Sequence, residues 1–123
     1  MPHLIEILTS NQQQLNPIRI LFCDTYLYRL RGLMFRKNIS EDEGLLLVQG
    51  KDSRVDSSIH MLFVPFELGV IWINSHFKVV DKIIAKPWRL AYFPAVPAKY
   101  TLEIHPDRLS EYEIGDEVKF NEI

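Results

Sequence analysis

The apolar residues of this chain fall in short runs, rich in β-branched and aromatic side chains and separated by polar or turn-forming clusters. That pattern predicts strands. The runs are His3 to Leu8, Ile18 to Cys23, Gly44 to Val48, Ser58 to Val64, Leu68 to Ile73, Phe77 to Ala85, Tyr100 to His105 and Glu117 to Phe120. In Tyr100 to His105 the period is two, with Tyr100, Leu102 and Ile104 on one face and Thr101, Glu103 and His105 on the other. Asn74-Ser75-His76 makes a tight connection of the hairpin kind. Gly115-Asp116 is turn chemistry, glycine allowing the backbone and aspartate capping it. Seven or eight short strands follow. They predict a mainly β (α+β) fold, a small and largely antiparallel barrel or sandwich.

Two segments break the pattern. Leu27, Leu30 and Met34 recur at helical spacing, Asp24 or Thr25 can cap the first turn, and Gly32 is a natural left-handed stop. One peripheral helix is expected there, covering one end of the sheet. A brief helical turn, Arg108 to Tyr112, follows Pro106-Asp107. The second segment, Lys86 to Lys99, holds Pro87, Pro94 and Pro97 together with Trp88, Tyr92 and Phe93. Prolines that dense forbid a ladder or a helix. An irregular stretch of this kind in a compact domain serves as a lid or packs down by its own side chains.

Composition narrows the class. At 123 residues the chain is expected to form a single domain, 1–123. Such a chain buries roughly two-thirds of its unfolded surface and needs no staples. Fourteen basic and sixteen acidic residues leave a net charge of −2, so no global field gathers nucleic acid or acidic membranes. A lone cysteine, Cys23, in an apolar run reads as a buried, inert thiol and fits a reducing compartment. The N-terminal stretch reads as no signal peptide, and no run approaches the ~18 apolar residues of a membrane span. A cytoplasmic protein is the expectation.

Candidate chemistry is sparse, and each candidate has a structural alternative. Arg29, Arg31, Arg36 and Lys37 crowd the end of the predicted helix. They can complement its dipole and pair with Glu41, Asp42 and Glu43, or Arg31 and Arg36 can grip a carboxylate or phosphate in bidentate fashion. His60 sits in the apolar run SIHML, either as a buried imidazole with one partner or as a site residue able to donate, accept or titrate near neutrality. Trp88 beside Arg89 either anchors its loop or offers a stacking platform. No metal-ligand spacing, phosphate-binding glycine loop, nucleophile elbow or dinucleotide fingerprint occurs, so neither a metal nor a cofactor is expected.

In order along the chain, RGLMFR (31–36), EGLLLV (43–48), SIHMLFVPF (58–66), PWR (87–89), AKYTLEI (98–104) and IGDEV (114–118) give it a family likeness. It resembles domain-of-unknown-function family 192, small bacterial and archaeal proteins of unassigned activity. The family-like core covers about 18–122, with the strand and polar loop of 1–17 outside it. The resemblance implies a mainly β domain with a peripheral helix and no known reaction. Relatives often follow a signal peptide or membrane anchor; that location is not carried over. Many relatives carry an aspartate where this chain has Gly69, and a sister group has an arginine near Pro65. Glu67 lies roughly 7 Å along the strand from Gly69 and is no substitute for that aspartate.

Together these features favour a non-catalytic binding module for a small polar or anionic ligand, using Arg31, Arg36, His60, Trp88 and Arg89. A protein-interaction domain presenting the 86–99 aromatic loop is the alternative. An enzyme with His60 as base comes third. Oligomeric state is left open.

Overall fold

The apolar runs pair into one sheet in the computed structural model, which describes residues 2–9, 18–23 and 37–122. Its strands are β1 (Pro2–Thr9), β2 (Ile18–Cys23), β3 (Glu43–Ser53), β4 (Leu68–Ile73), β5 (Val79–Ala85), β6 (Ala98–Ile104) and β7 (Val118–Glu122). Across the sheet they lie in the order β5-β4-β6-β3-β2-β1-β7. Neighbours are antiparallel except β2 and β3, which run parallel from Arg19↔Glu43 to Cys23↔Leu47. A hairpin cannot join parallel strands, so a crossover must connect them. The sequence puts its predicted helix in that connection. The helix, with Leu27, Leu30, Gly32, Arg31 and Arg36, lies outside the described residues, as do the 10–17 loop and the Cys23 thiol.

The fold is mainly β, but the sheet is not a closed barrel. Its edge strands approach at one isolated bridge, Lys78↔Glu117. Backbone bonds of 2.8 Å from Val118 N to Phe77 O and from Val79 N to Asp116 O support that approach. Gly115 takes φ +97° in the turn before β7, where glycine is unstrained, and Glu113 N donates to Asp116 Oδ2 at 3.0 Å.

One predicted strand is corrected. Ser58 to Val64 joins no sheet; it makes the isolated bridge Ile59↔Tyr92 and then turns, with Val64 N donating to Met61 O at 3.1 Å. Phe63, at φ +60°, ends the extended run. The strand placed at Gly44 to Val48 instead continues to Ser53, with a register shift after Val48.

Both faces of the sheet are covered. One face carries Leu46, Ile71, Ile73, Leu102 and Ile104, closed over by Val79, Tyr112 and Val118. The 3-10 helix Pro106–Glu111 packs beside it and brings in Leu109. Leu45, Leu47, Val70 and Trp72 face the other way, onto Ile39, Ile59, Met61 and Val64. Every residue of β4 is therefore buried. The polar alternates of β6 are buried too, with Thr101 fully inaccessible and Glu103 5% exposed. Among the described residues no helix is long and apolar enough to cross a membrane.

Candidate functional site

The second face is roofed by two irregular segments that pair with each other. Ile59 and Tyr92 exchange backbone hydrogen bonds of 3.0 and 2.8 Å. Met61 N donates to Arg89 O at 2.8 Å, and Trp88 N donates to Met61 O at 2.9 Å. The roof is fastened below by one carbonyl: Ser57 O accepts from Trp72 Nε1 at 2.7 Å and Thr101 Oγ1 at 2.9 Å. Trp72 and Thr101 are direct partners across β4 and β6, so their donors converge on the two lone pairs of that oxygen.

This pairing sets His60, Trp88 and Arg89 on one pair of loops. Ile59 and Met61 are buried inward, so the alternation of an extended segment turns His60 away from the core. His60 Nδ1 accepts from Leu62 N at 3.2 Å, which leaves the proton of a neutral imidazole on Nε2 as a donor. Trp88 takes φ +65° and is 54% exposed, its ring edge-to-face with Phe63 at 5.4 Å. A packed-down anchor would be buried; Trp88 is not. Arg89 is exposed, and its guanidinium makes no hydrogen bond or ion pair among the described residues. Tyr92, in contrast, is tied down, its hydroxyl accepting from Lys86 N at 2.9 Å.

Glu103 was missed by sequence reasoning. It stands on β6 at the centre of the sheet, between Leu45 and Val70, beneath the loop roof. Burial alone pushes its carboxyl from 4.5 up to about 7. Its only signal in the sequence was a carboxylate inside a strand flanked by apolar residues, which equally describes a solvated face.

Glu41, His105 and Asp107 bring one potential ligand atom each within 4.8 Å of one another. The imidazole is already engaged. His105 Nδ1 accepts from Asp107 N at 3.1 Å and caps the 3-10 helix. Local folding accounts for the cluster.

The family model DUF192, an uncharacterized ACR family, matches residues 6–120. The chain belongs to this family. A UPF0127 protein of Pyrococcus furiosus is 38% identical over 107 residues, 85% of this chain and 88% of the relative. A UPF0127 protein of Thermococcus kodakarensis is 40% identical over 100 residues; the match spans 80% of this chain but 62% of that longer relative. Two solved structures share the fold. A proposed transcription regulator of Sinorhizobium meliloti has TM-score 0.85 at 18% identity, covering 98% of this chain and 94% of that one. A protein of unknown function from Novosphingobium aromaticivorans has TM-score 0.82 at 19% identity, covering 96% and 84%. At those identities the likeness shows the fold alone. The family's function is unassigned, and so is this chain's.

Gly69 gains a structural reason within the DUF192 fold. A Cβ there would lie 3.3 Å from His105 O and 3.4 Å from Pro106 Cα. The bare glycine lets the capped 3-10 helix sit close against β4. Glu67, two residues earlier, pairs with Lys86 at 2.6 Å on the surface.

Proposed function

We propose that this protein is a non-catalytic binding module, a small single-domain and barrel-like β fold whose paired loops hold a small polar or anionic ligand. Trp88 carries the reading. Held in left-handed backbone and half exposed against Phe63, it is a costly residue conformation of the kind that collects at ligand clamps. Beside it the Arg89 guanidinium supplies a bidentate fork for a carboxylate or phosphate, and His60 Nε2 supplies a second donor. Arg31 and Arg36 are the further cations of this reading.

A thermal-shift series with carboxylates, sugars and nucleotides tests it, because a ligand of the folded state raises the melting temperature. One anionic class is expected to do so, and Arg89→Ala, His60→Ala and Trp88→Ala are each expected to abolish the shift. An unchanged shift in all three variants would sink the reading.

A second reading has its own observation. Leu90 and Phe93, on the same loop, are 76% and 50% exposed, which suits a protein contact. The pair Leu90→Ser and Phe93→Ser separates the two. Ligand-induced shifts survive it if the site is for small molecules, whereas a protein-docking surface gives no small-molecule shift in the parent chain either.

A further inference from the structure

A cavity of about 420 Å³ opens against the other face of the sheet. Val48, Phe77, Tyr100, Val118, Lys119 and Phe120 line it. His60, Trp88 and Arg89 take no part, so it stands apart from the loop site. We infer that this cavity binds a small planar aromatic anion, an aromatic carboxylate in chemical class.

Three rings define its wall. Phe77 and Tyr100 stack at 5.5 Å with 24° between their planes. Phe120 meets Phe77 at 5.9 Å and 78°, and Tyr100 at 5.6 Å and 67°. The three rings form one cluster and all line the cavity, a surface on which a further aromatic ring can stack or meet edge-on. The volume lies within the range of about 300–1,000 Å³ typical of ligand pockets.

The backbone at Phe77 sets a conformational cost against the packing of that ring. Phe77 takes φ +62° in the turn between β4 and β5, where glycine is the unstrained choice. The turn and the strands beside it hold this angle, with Val118 N donating to Phe77 O at 2.8 Å. Asn74 Oδ1 accepts from His76 N and Lys78 N at 3.0 Å, Phe77 N donates to Asn74 O at 2.9 Å, and Ser75 donates twice to Asp52. A glycine would meet the same hydrogen bonds without strain. The phenylalanine is 40% exposed, and the rest of its ring packs on Tyr100 and Phe120. What it adds over glycine is a ring on the cavity.

Charge completes the class of ligand. Among the described residues no carboxylate lines the cavity, Lys119 forms part of its wall, and Lys99 Nζ stands 5.6 Å from the centroid of Tyr100. A ring seated among Phe77, Tyr100 and Phe120 would carry its anionic group toward these lysines.

The test titrates the whole chain with 2-naphthoate and with neutral 2-naphthalenemethanol, following amide chemical shifts. Naphthoate is expected to shift Tyr100, Val118 and Phe120 and to bind about tenfold more tightly than the alcohol. Phe77→Gly relieves the backbone cost, keeps a cooperative melting transition, and is expected to lose at least about tenfold in naphthoate affinity. Phe77→Asn, which also tolerates the left-handed backbone, should lose affinity in the same way. Lys99→Ala should erode the preference for naphthoate over the alcohol. Undiminished binding in Phe77→Gly and Phe77→Asn overturns the inference. So does binding that Trp88→Ala abolishes, because the ligand then sits on the loop pair. Equal affinity for acid and alcohol overturns the anionic class.

Discussion

Phe63 and Trp88 on the loop roof, and Phe77 at the aromatic cavity, share left-handed backbone but are held there by different means. The two roof residues lean on each other, and main-chain pairing between remote segments keeps them in place. Phe77 is held by a turn rich in side-chain hydrogen bonds and by a main-chain bond from Val118 N, and it rests on an apolar face. The faces beneath differ in the same sense. Under the roof lie a shared carbonyl, a buried threonine and a buried carboxylate; under Phe77 the core cluster is apolar but for the Tyr112 hydroxyl. Main-chain pairing of two irregular segments over polar groups on one face, and a side-chain-bonded turn over an apolar core on the other, are two ways of keeping an exposed aromatic in a costly conformation.

The largest expected break in this contrast comes from adjacent residues of β4 that face opposite ways. Trp72→Ala removes a buried indole and half the fastening at Ser57 O, and should cost about 3–5 kcal/mol in urea unfolding. Ile71→Ala should cost about 2–5 kcal/mol on the other face. Only Trp72→Ala should also speed hydrogen exchange at the Ile59 and Met61 amides. Equal acceleration by Ile71→Ala would show that the roof is not separately fastened.

Next in size is pH. The Glu103 carboxyl titrates near 4.5 when unfolded and at about 7 in the fold, where desolvation disfavours its charge. Between those values the folded state keeps a proton that the unfolded state has lost, so stability falls as pH rises and levels off above about pH 7. The loss amounts to about 3 kcal/mol. Leu45 and Val70, its sheet neighbours, offer no compensating charge. Glu103→Gln should flatten the profile; a profile unchanged in that variant would assign the titration elsewhere.

The smallest effect tests the apolar face. The Tyr112 hydroxyl is buried with no hydrogen-bond partner among the described residues, and burial raises its pKa. Tyr112→Phe removes an unsatisfied polar group and should stabilise the chain by about 1 kcal/mol, seen as a higher melting temperature. A loss of stability instead would mean that this face, too, depends on a polar contact.

Much of the fold was legible in the chain. Ile18–Cys23 and Leu68–Ile73 are strands with the bounds their apolar runs suggest, and Asn74-Ser75-His76 and Gly115-Asp116 turn as their chemistry requires. Ser58 to Val64 misled because its composition suits a strand, while its partner is the irregular 88–92 segment between Pro87 and Pro94 and not the sheet. The candidate site was legible only as residue types. His60, Trp88 and Arg89 were named from the chain, but their shared loop pair depends on contacts between segments some thirty positions apart.

The sequence by itself determined the family, the mainly β class, most strand positions and the sites of the tight turns. These follow from local propensity and from the period of two, which says which residues share a face. Tertiary structure decided what covers each face. It buried Glu103 and Thr101, left Trp88 and Phe93 half exposed, and brought Phe77 from the β4–β5 turn against Tyr100 and Phe120. Alternation sorts side chains between two sides of a sheet, but burial depends on layers that arrive from distant parts of the chain.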